Sequence, residues 1–427
     1  MKTFKLDHIT KIEGHADLHI KVDGDKIEKV EVSVVEGARF FEAMLKNRRF
    51  DEAPLITSRI CGICHTTHSL SSIRAVESAI DFQPSEQTKT LRELAFLAEQ
   101  LQSHVLHIYF LALPDYVGFP SAIAAASKYP NEVKRALRLK RLANDLVEAL
   151  IGREIHTVSM RVGGFTRLPT QTTLDSLLNK LKESKPEFDE TAKLFGSLSY
   201  PNFQRKTTYM ALKNNKDYSF IGADLGTSEG ASFAPAAYTK HLEEYIASYS
   251  NTKPVKINGH GYAVGALARI NLNQKFLSDD AKRAIEATNI KFPNDSPFIN
   301  NFAQAVECVH IIDRCISLLE NLKLKNERKK KIELKAGRGV SATEAPRGTV
   351  FHDYFINKQG VIGKTNIITP TAQNLKNIEE DVAAYMPELL KLGSEDKILF
   401  ELEKLIRAYD PCISCSAHFL TLKIERK

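Results

Sequence analysis

RICGICHTTH (59–68) and DPCISCSAH (410–418) are the two stretches whose reading decides the fold. Each holds a Cys-x-x-Cys pair, Cys61/Cys64 and Cys412/Cys415, and together they use four of the six cysteines in 427 residues. A turn of this spacing turns two thiols to one side, as a shared metal requires. Two such turns meeting in space make a four-thiolate site, which suits structural zinc, an iron–sulfur cluster, or thiolate-bound nickel or iron. Zinc ribbons separate their pairs by about 15–20 residues. Here roughly 350 intervene, so the site would join the two ends of a large domain. Arg, Asp and His flank both pairs, which structural zinc does not require. A thioredoxin-type dithiol needs one pair after a strand in a βαβ setting, and that context is missing.

Working outward, the segment 1–36 alternates apolar and polar residues and breaks at Asp23-Gly24-Asp25, which predicts an antiparallel hairpin. From about Glu42 the period becomes helical. Helices are predicted over Thr88–Leu113, stopping before Pro114, and over Glu132–Met160, followed by the breaker Gly163-Gly164. Two more are predicted over Leu174–Phe195 and Pro297–Lys325. Ser199–Pro254 is polar and turn-rich, an irregular insertion with short strands. The fold class is thus mainly α with a small N-terminal antiparallel β element (α+β), in one large domain. Its regions are a hairpin at 1–36, a helical part at 37–198 with the first cysteine pair, the insertion at 199–255, a helical part at 256–418 with the second pair, and an extension at 419–427.

Apolar residues make up 43% and charged residues 26%, the balance of a soluble globular chain. The net charge of +7 is modest for this length. The densest basic run, around Arg328-Lys329-Lys330-Lys331, has no interleaved aromatics to stack on bases and reads as a solvated helix end or loop, so no nucleic acid is expected. No apolar run approaches the ~18 residues of a membrane span, and the first residues lack the apolar core of a signal peptide. With sparse cysteines, the expected compartment is the reducing cytoplasm.

The two cysteine motifs resemble the nickel-binding motifs of NiFe hydrogenase large subunits. The likeness continues through KIEGHADLHI (11–20), GARFFEAMLKNRRFDEAPLITSRICGIC (37–64), SHVLHIYFLALPD (103–115), GYAVGALARINLN (261–273), EAPRGTVFHDY (344–354) and NIITPTAQN (366–374), in the family's order. It implies a helical bundle catalysing reversible heterolytic cleavage of dihydrogen. Cys61 and Cys412 would be terminal ligands of nickel. Cys64 and Cys415 would bridge it to an iron carrying two cyanides and one carbon monoxide. Glu13 matches the glutamate that passes protons out, with Cys412 or a canopy residue as first acceptor. His68 matches a histidine beside a bridging cysteine. Asp115, Pro346, Arg347 and Asp410 match the canopy over the open metal position, Arg347 supporting the cleavage by charge or as base. Thr371, after Pro370, matches the hydroxyl that bonds a cyanide. Glu42, the Ile367 carbonyl and His418 match a second metal site, usually magnesium. Soft thiolates suit this chemistry because they let nickel change oxidation state.

Counting adds one point. Electrons released from dihydrogen need a conductor, and the remaining thiols, Cys308 and Cys315, cannot hold a four-cysteine cluster. They read as packed helix thiols, and the clusters belong on another chain. The resemblance implies an iron–sulfur small subunit, further NAD(P)-, deazaflavin- or sulfur-linked electron-transfer subunits, a maturation protease and nickel-insertion factors. Position 412 is Cys, so this is not the selenocysteine variant, and Thr157 follows His156 where the family commonly has proline. The nine residues FLTLKIERK after His418 read as the extension removed from a precursor. Two other classes are a hydrogen sensor, which would keep the four cysteines, and a structural zinc scaffold, which would hold zinc alone.

Overall fold

The computed structural model describes residues 2–24, 26–37, 39–328 and 330–417. The N-terminal element is larger than a hairpin. Strands β1 (Lys2–Leu6), β2 (Ala16–Asp23) and β3 (Lys26–Val34) form a three-stranded antiparallel sheet in sequence order. The strict alternation of Ala16, Leu18, Ile20 and Val22 puts all four on the buried face.

Helix α1 (His65–Ala79) starts directly after Cys64. It is followed by α2 (Glu86–Val105), α3 (Pro130–Ile151), α4 (Gln171–Gly196) and α5 (Asn300–Asn321), with α2 packing on α3 and α5, and α5 on α4. Local chemistry sets the ends. Ser85 caps α2 by accepting from Thr88 N at 3.1 Å, and Thr170 caps α4 from Thr173 N at 3.1 Å. The expected helix over Glu132–Met160 stops earlier, because Gly152 takes the left-handed conformation (φ 86°) that closes α3. Pro114 does not stop its helix. After Val105 the coil widens to a π-helix over Leu106–Ala112, with Leu113 N–H bonded to Ile108 O, and continues through Pro114 to Val117. Proline lacks an N–H and its ring clashes with the carbonyl four residues back in an α-helix; the wider turn relieves both.

The region 256–418 departs from the helical expectation. Strands β4 (Gly337–Ala345), β5 (Gly348–Ile356) and β6 (Ile362–Ile368) form a second antiparallel sheet before α6 (Pro370–Leu389) and α7 (Glu395–Ala408). Nearly all of β5 is buried, so it shows no half-buried alternation to read. The 199–255 segment carries short strands, among them Thr208–Lys213 and Asp224–Thr227. They pack Met210, Leu212 and Leu225 against Ala342, Phe351 and Ile368 in a second hydrophobic core. Among the described residues, no helix is long and apolar enough to cross a membrane.

A buried ionic network ties these layers together. Glu307 on α5 accepts from Arg269 Nε and Nη2, each at 2.6 Å, from Tyr218 OH at 2.6 Å, and lies 2.8 Å from His104 Nε2. Burial opposes the Glu307 charge, but Arg269 overcomes it and holds the carboxyl well below the usual range. Removing either partner would strand the other, at about 3–5 kcal/mol.

Candidate metal centre

The two cysteine loops meet in space. Cys61 is extended at the end of a single 3₁₀ turn, Ser58–Ile60, and Cys64 is the residue before α1. Cys412 precedes the one-turn helix Ile413–Ser416, which carries Cys415. All four are free and buried, with their sulfurs within 4.8 Å of one another. The separations are 3.4 Å for Cys61–Cys412, 3.3 Å for Cys64–Cys415 and 2.8 Å for Cys412–Cys415.

Two further contacts hold the loops in register. The Glu13 backbone bridges to Cys412, with Ile413 N–H donating to Glu13 O at 2.8 Å. The Arg39 guanidinium donates to both Ile60 O and Ser414 O, one carbonyl from each cysteine loop, and Arg39 N–H donates to Ala417 O at 3.1 Å. The approach of Glu13 depends on Gly14. Its φ is 83°, and a Cβ there would lie 2.8 Å from Ile413 Cβ.

The Glu13 carboxylate accepts from Cys412 Sγ at 3.1 Å, from Ser414 N at 3.0 Å and from the Ser414 hydroxyl. Thr371, in the first turn of α6, accepts from Cys412 N at 2.9 Å and keeps its own hydroxyl proton for another acceptor. Pro370 supplies the first residue of that helix, where its missing N–H costs nothing.

Arg347 stands at the tip of a hairpin. Ala345 pairs with Gly348, leaving Pro346-Arg347 as a two-residue loop. The loop is fixed by Arg269, which donates to Ala345 O at 3.0 Å and Pro346 O at 3.2 Å. Arg347 Nε donates to Asp410 O at 2.7 Å and Nη2 pairs with Asp410 Oδ1 at 3.0 Å; Nη1 is buried with no acceptor. Burial opposes the guanidinium charge, but Asp410 and the Cys412, Cys61 and Cys64 sulfurs hold Arg347 well above its ordinary value. Asp410 itself has φ 52° and accepts from Gln304 Nε2 at 3.0 Å.

Burial disfavours the charged form of each of the four thiols, while Arg347 favours it at Cys61. Holding all four deprotonated side by side needs a cation in their midst. A tetrahedral ion with 2.3 Å sulfur bonds separates its ligands by about 3.8 Å, so the sulfurs, now 2.8–3.4 Å apart in the three pairs above, would spread slightly around a bound metal.

The nickel-dependent hydrogenase family matches residues 39–147 and 204–418. The chain belongs to the nickel-dependent hydrogenase family. Sulfhydrogenase 1 subunit alpha of Pyrococcus furiosus is 35% identical over 421 residues, 98% of both chains. Sulfhydrogenase 2 subunit alpha of the same organism is 32% identical over 420 residues, 98% of this chain and 99% of that one. An NAD+-reducing NiFe hydrogenase, solved in its H2-reduced state, shares the fold with a TM-score of 0.88 at 23% identity, over 98% of this chain and 100% of that one. The hydrogenase large-subunit fold and the four-cysteine group are therefore established together.

The residues anticipated from the hydrogenase resemblance are spread over several elements. Glu13, Thr371, Arg347 and Asp410 gather around the cysteines, as described above. His68 lies on α1, its Nδ1 3.1 Å from His352 Nε2, whose Nδ1 is 2.6 Å from Tyr354 OH; burial brings His68 to about 4 and keeps it neutral. Asp115 is committed to Arg407 and Lys11 rather than to Arg347. Ile367 N–H donates to Glu42 at 2.9 Å, and Lys253 Nζ stands 3.7 Å from the same carboxylate. Burial raises the Glu42 pKa. His418 and the 419–427 extension lie outside the described residues.

Several groups escaped the sequence reading. Arg39 was visible as a residue in a matched segment, but nothing marked it as the clasp of both loops. Glu99 accepts from Thr67 N at 2.8 Å and from Thr66 N, anchoring the first turn of α1, and burial raises it to about 8. His107, in the π-helix, reaches Gln304 at 2.6 Å and Arg407 O at 2.8 Å. It links Asp115's partner Arg407 to Asp410's partner Gln304. The spacing of SHVLHIYFLALPD before proline was the available signal for that widened turn.

Proposed function

We propose that this chain is the catalytic subunit of a NiFe hydrogenase that interconverts dihydrogen with protons and electrons at a centre held by Cys61, Cys64, Cys412 and Cys415. The observation that carries this reading is the buried four-thiol cluster with the Glu13 carboxylate bonded to one sulfur and the Arg347 guanidinium nearby. Cys61, Cys64, Cys412 and Cys415 would hold nickel and an iron with two cyanides and one carbon monoxide, which when bound would supply the soft, redox-active Lewis acid that so weak an acid as dihydrogen requires.

The residues divide the remaining work. Cys412 Sγ holds a proton 3.1 Å from Glu13 Oε2, a direct hand-off from a buried sulfur to a half-buried carboxylate. Ser414, bonded to the other Glu13 oxygen, orients it. Arg347, fixed by Asp410, offers positive charge and one free donor beside the sulfurs. Thr371 fixes the Cys412 backbone, and its hydroxyl proton would be free for a ligand of the bound iron. His68, held neutral, supports the helix that follows Cys64. For magnesium, Glu42 accepts from Ile367 N–H and shares Lys253 with Glu244; Glu42, the Ile367 carbonyl and His418 would hold the ion, as the resemblance implies, and no step runs through it.

Electrons leave through a partner. Cys308 and Cys315 are buried on α5, where burial raises both thiols, and two thiols cannot hold a cluster. An iron–sulfur subunit, linked to further electron-transfer subunits in the cytoplasm, completes the reading. The test is infrared spectroscopy of the assembled protein with nickel and iron quantified on the same sample. Bands of metal-bound cyanide and carbon monoxide with about one nickel per chain are expected. Zinc alone, with no such bands, would sink the assignment.

A further inference from the structure

The residue just after β1 and the start of β2 carry a second set of metal-ligand side chains, away from the thiols. Asp7, Asp17 and His19 each offer a ligand atom, and the three atoms lie within 4.8 Å of one another. The sheet holds them there. Lys5 pairs with His19 and Leu6 with Leu18 across the ladder, so Asp7, Asp17 and His19 share one face while Leu18 is buried on the other. The corner is further fixed by His8, whose N–H donates to Asp17 Oδ1 at 2.8 Å from a left-handed backbone (φ 66°). A second imidazole is close by: His15 Nε2 stands 3.7 Å from Asp17 Oδ1, and its ring nitrogens lie 3.1 and 3.2 Å from His8 Nδ1.

We propose that this corner is a binding site for a divalent transition-metal ion of the zinc(II) or nickel(II) type, held by Asp7, Asp17 and His19 with His15 within reach. Two carboxylates and an imidazole on one rigid face are a donor set for borderline ions; magnesium and calcium favour all-oxygen sites. The site differs in kind from the thiol centre, offering oxygen and nitrogen donors at the surface where that one offers buried sulfur. The present partner of Asp7 is Lys5, at 2.7 Å; both side chains are exposed, and such a pair gives way readily to a multidentate ion. A bound ion would cross-link β1 to β2 at the corner whose chain continues, through Lys11 and Ile12, to Glu13.

The test is zinc(II) titration, by calorimetry and by competition with a chromophoric chelator, of the assembled protein with its nickel and iron in place. One saturable equivalent per chain beyond the resident metals is expected. His19→Ala and Asp17→Asn should each weaken it at least about tenfold, since even the loss of an outer partner costs 10–100-fold. X-ray absorption at the zinc edge should show nitrogen and oxygen neighbours, imidazole among them, and no sulfur. Absence of a saturable equivalent, equal binding in both variants, or sulfur at the added zinc would each overturn the proposal.

Discussion

Glu13→Gln separates proton transfer from architecture. Glutamine keeps the length of the side chain and one carbonyl oxygen, so it can still accept from Ser414 N, now 3.0 Å from Oε2. What it loses is the ability to take a proton from Cys412 Sγ at 3.1 Å. A positioned acid–base group contributes roughly 10²–10⁴-fold, which is about 2.7–5.4 kcal/mol of barrier at 1.36 kcal/mol per decade. The structural loss is smaller, about 1 kcal/mol for weakened hydrogen bonds, so the chain should fold and keep its nickel. Glu13→Asp tests reach. One carbon–carbon bond fewer, about 1.5 Å, leaves the carboxylate about 4.5 Å from the sulfur, beyond hydrogen-bond distance. Both variants should lose at least about a hundredfold of dihydrogen uptake with an artificial dye, with nickel content and infrared bands as in the parent. Hydrogen–deuterium exchange should fall in parallel, because it needs the same proton exit. A Gln variant that retains turnover within threefold at full nickel occupancy would show that protons leave by another way.

Gly14→Ala should lower nickel content and thermal stability together. Its Cβ would press on Ile413 Cβ at 2.8 Å and Ser414 N at 3.1 Å, forcing the Cys412 loop away from Glu13. Gly24→Ala is the control: it bears a similar strain (φ 59°) with nothing within 4 Å, so it should cost about 1–2 kcal/mol in Tm measurements and no nickel. Acid should destabilise the chain partly through His310. Burial pulls this imidazole to about 4, against Glu307, Asp313 and Asp217 and with Arg314, and its Nδ1 accepts from Ser278 N at 3.0 Å. The folded state keeps the ring neutral while the unfolded chain protonates it below about 6.5. Its contribution is therefore intact above pH 6.5 and lost as pH falls to about 4, up to about 3 kcal/mol. His310→Gln should flatten that limb of the Tm–pH curve; an unchanged slope would refute the assignment.

The four-cysteine group was legible in the sequence because it sits on short local signals: Cys-x-x-Cys fixes two sulfurs by the geometry of one turn. The close approach at Gly14 was not read there; it shows only once the Glu13 and Cys412 backbones meet. What was not legible is whatever depends on contacts across the chain. The β4–β5 hairpin was missed because it is buried on both faces and so lacks the alternation that betrays a half-buried strand. With it went the reason Arg347 is where it is: a two-residue loop whose carbonyls are both held by Arg269. Pro114 misled for a different reason. The rule that proline ends a helix assumes an α-helical turn before it, and here the chain widens to a π turn first. That exception has a consequence at the site. The widened turn carries His107, which bonds both to Gln304, the partner of Asp410, and to the carbonyl of Arg407, the partner of Asp115. Asp115 and Asp410, far apart in sequence, are thereby linked through their partners by one irregular turn. A turn kept irregular by a proline at its end is a cheap way to hold two buried charges at a fixed offset, because straightening it would have to break both links at once.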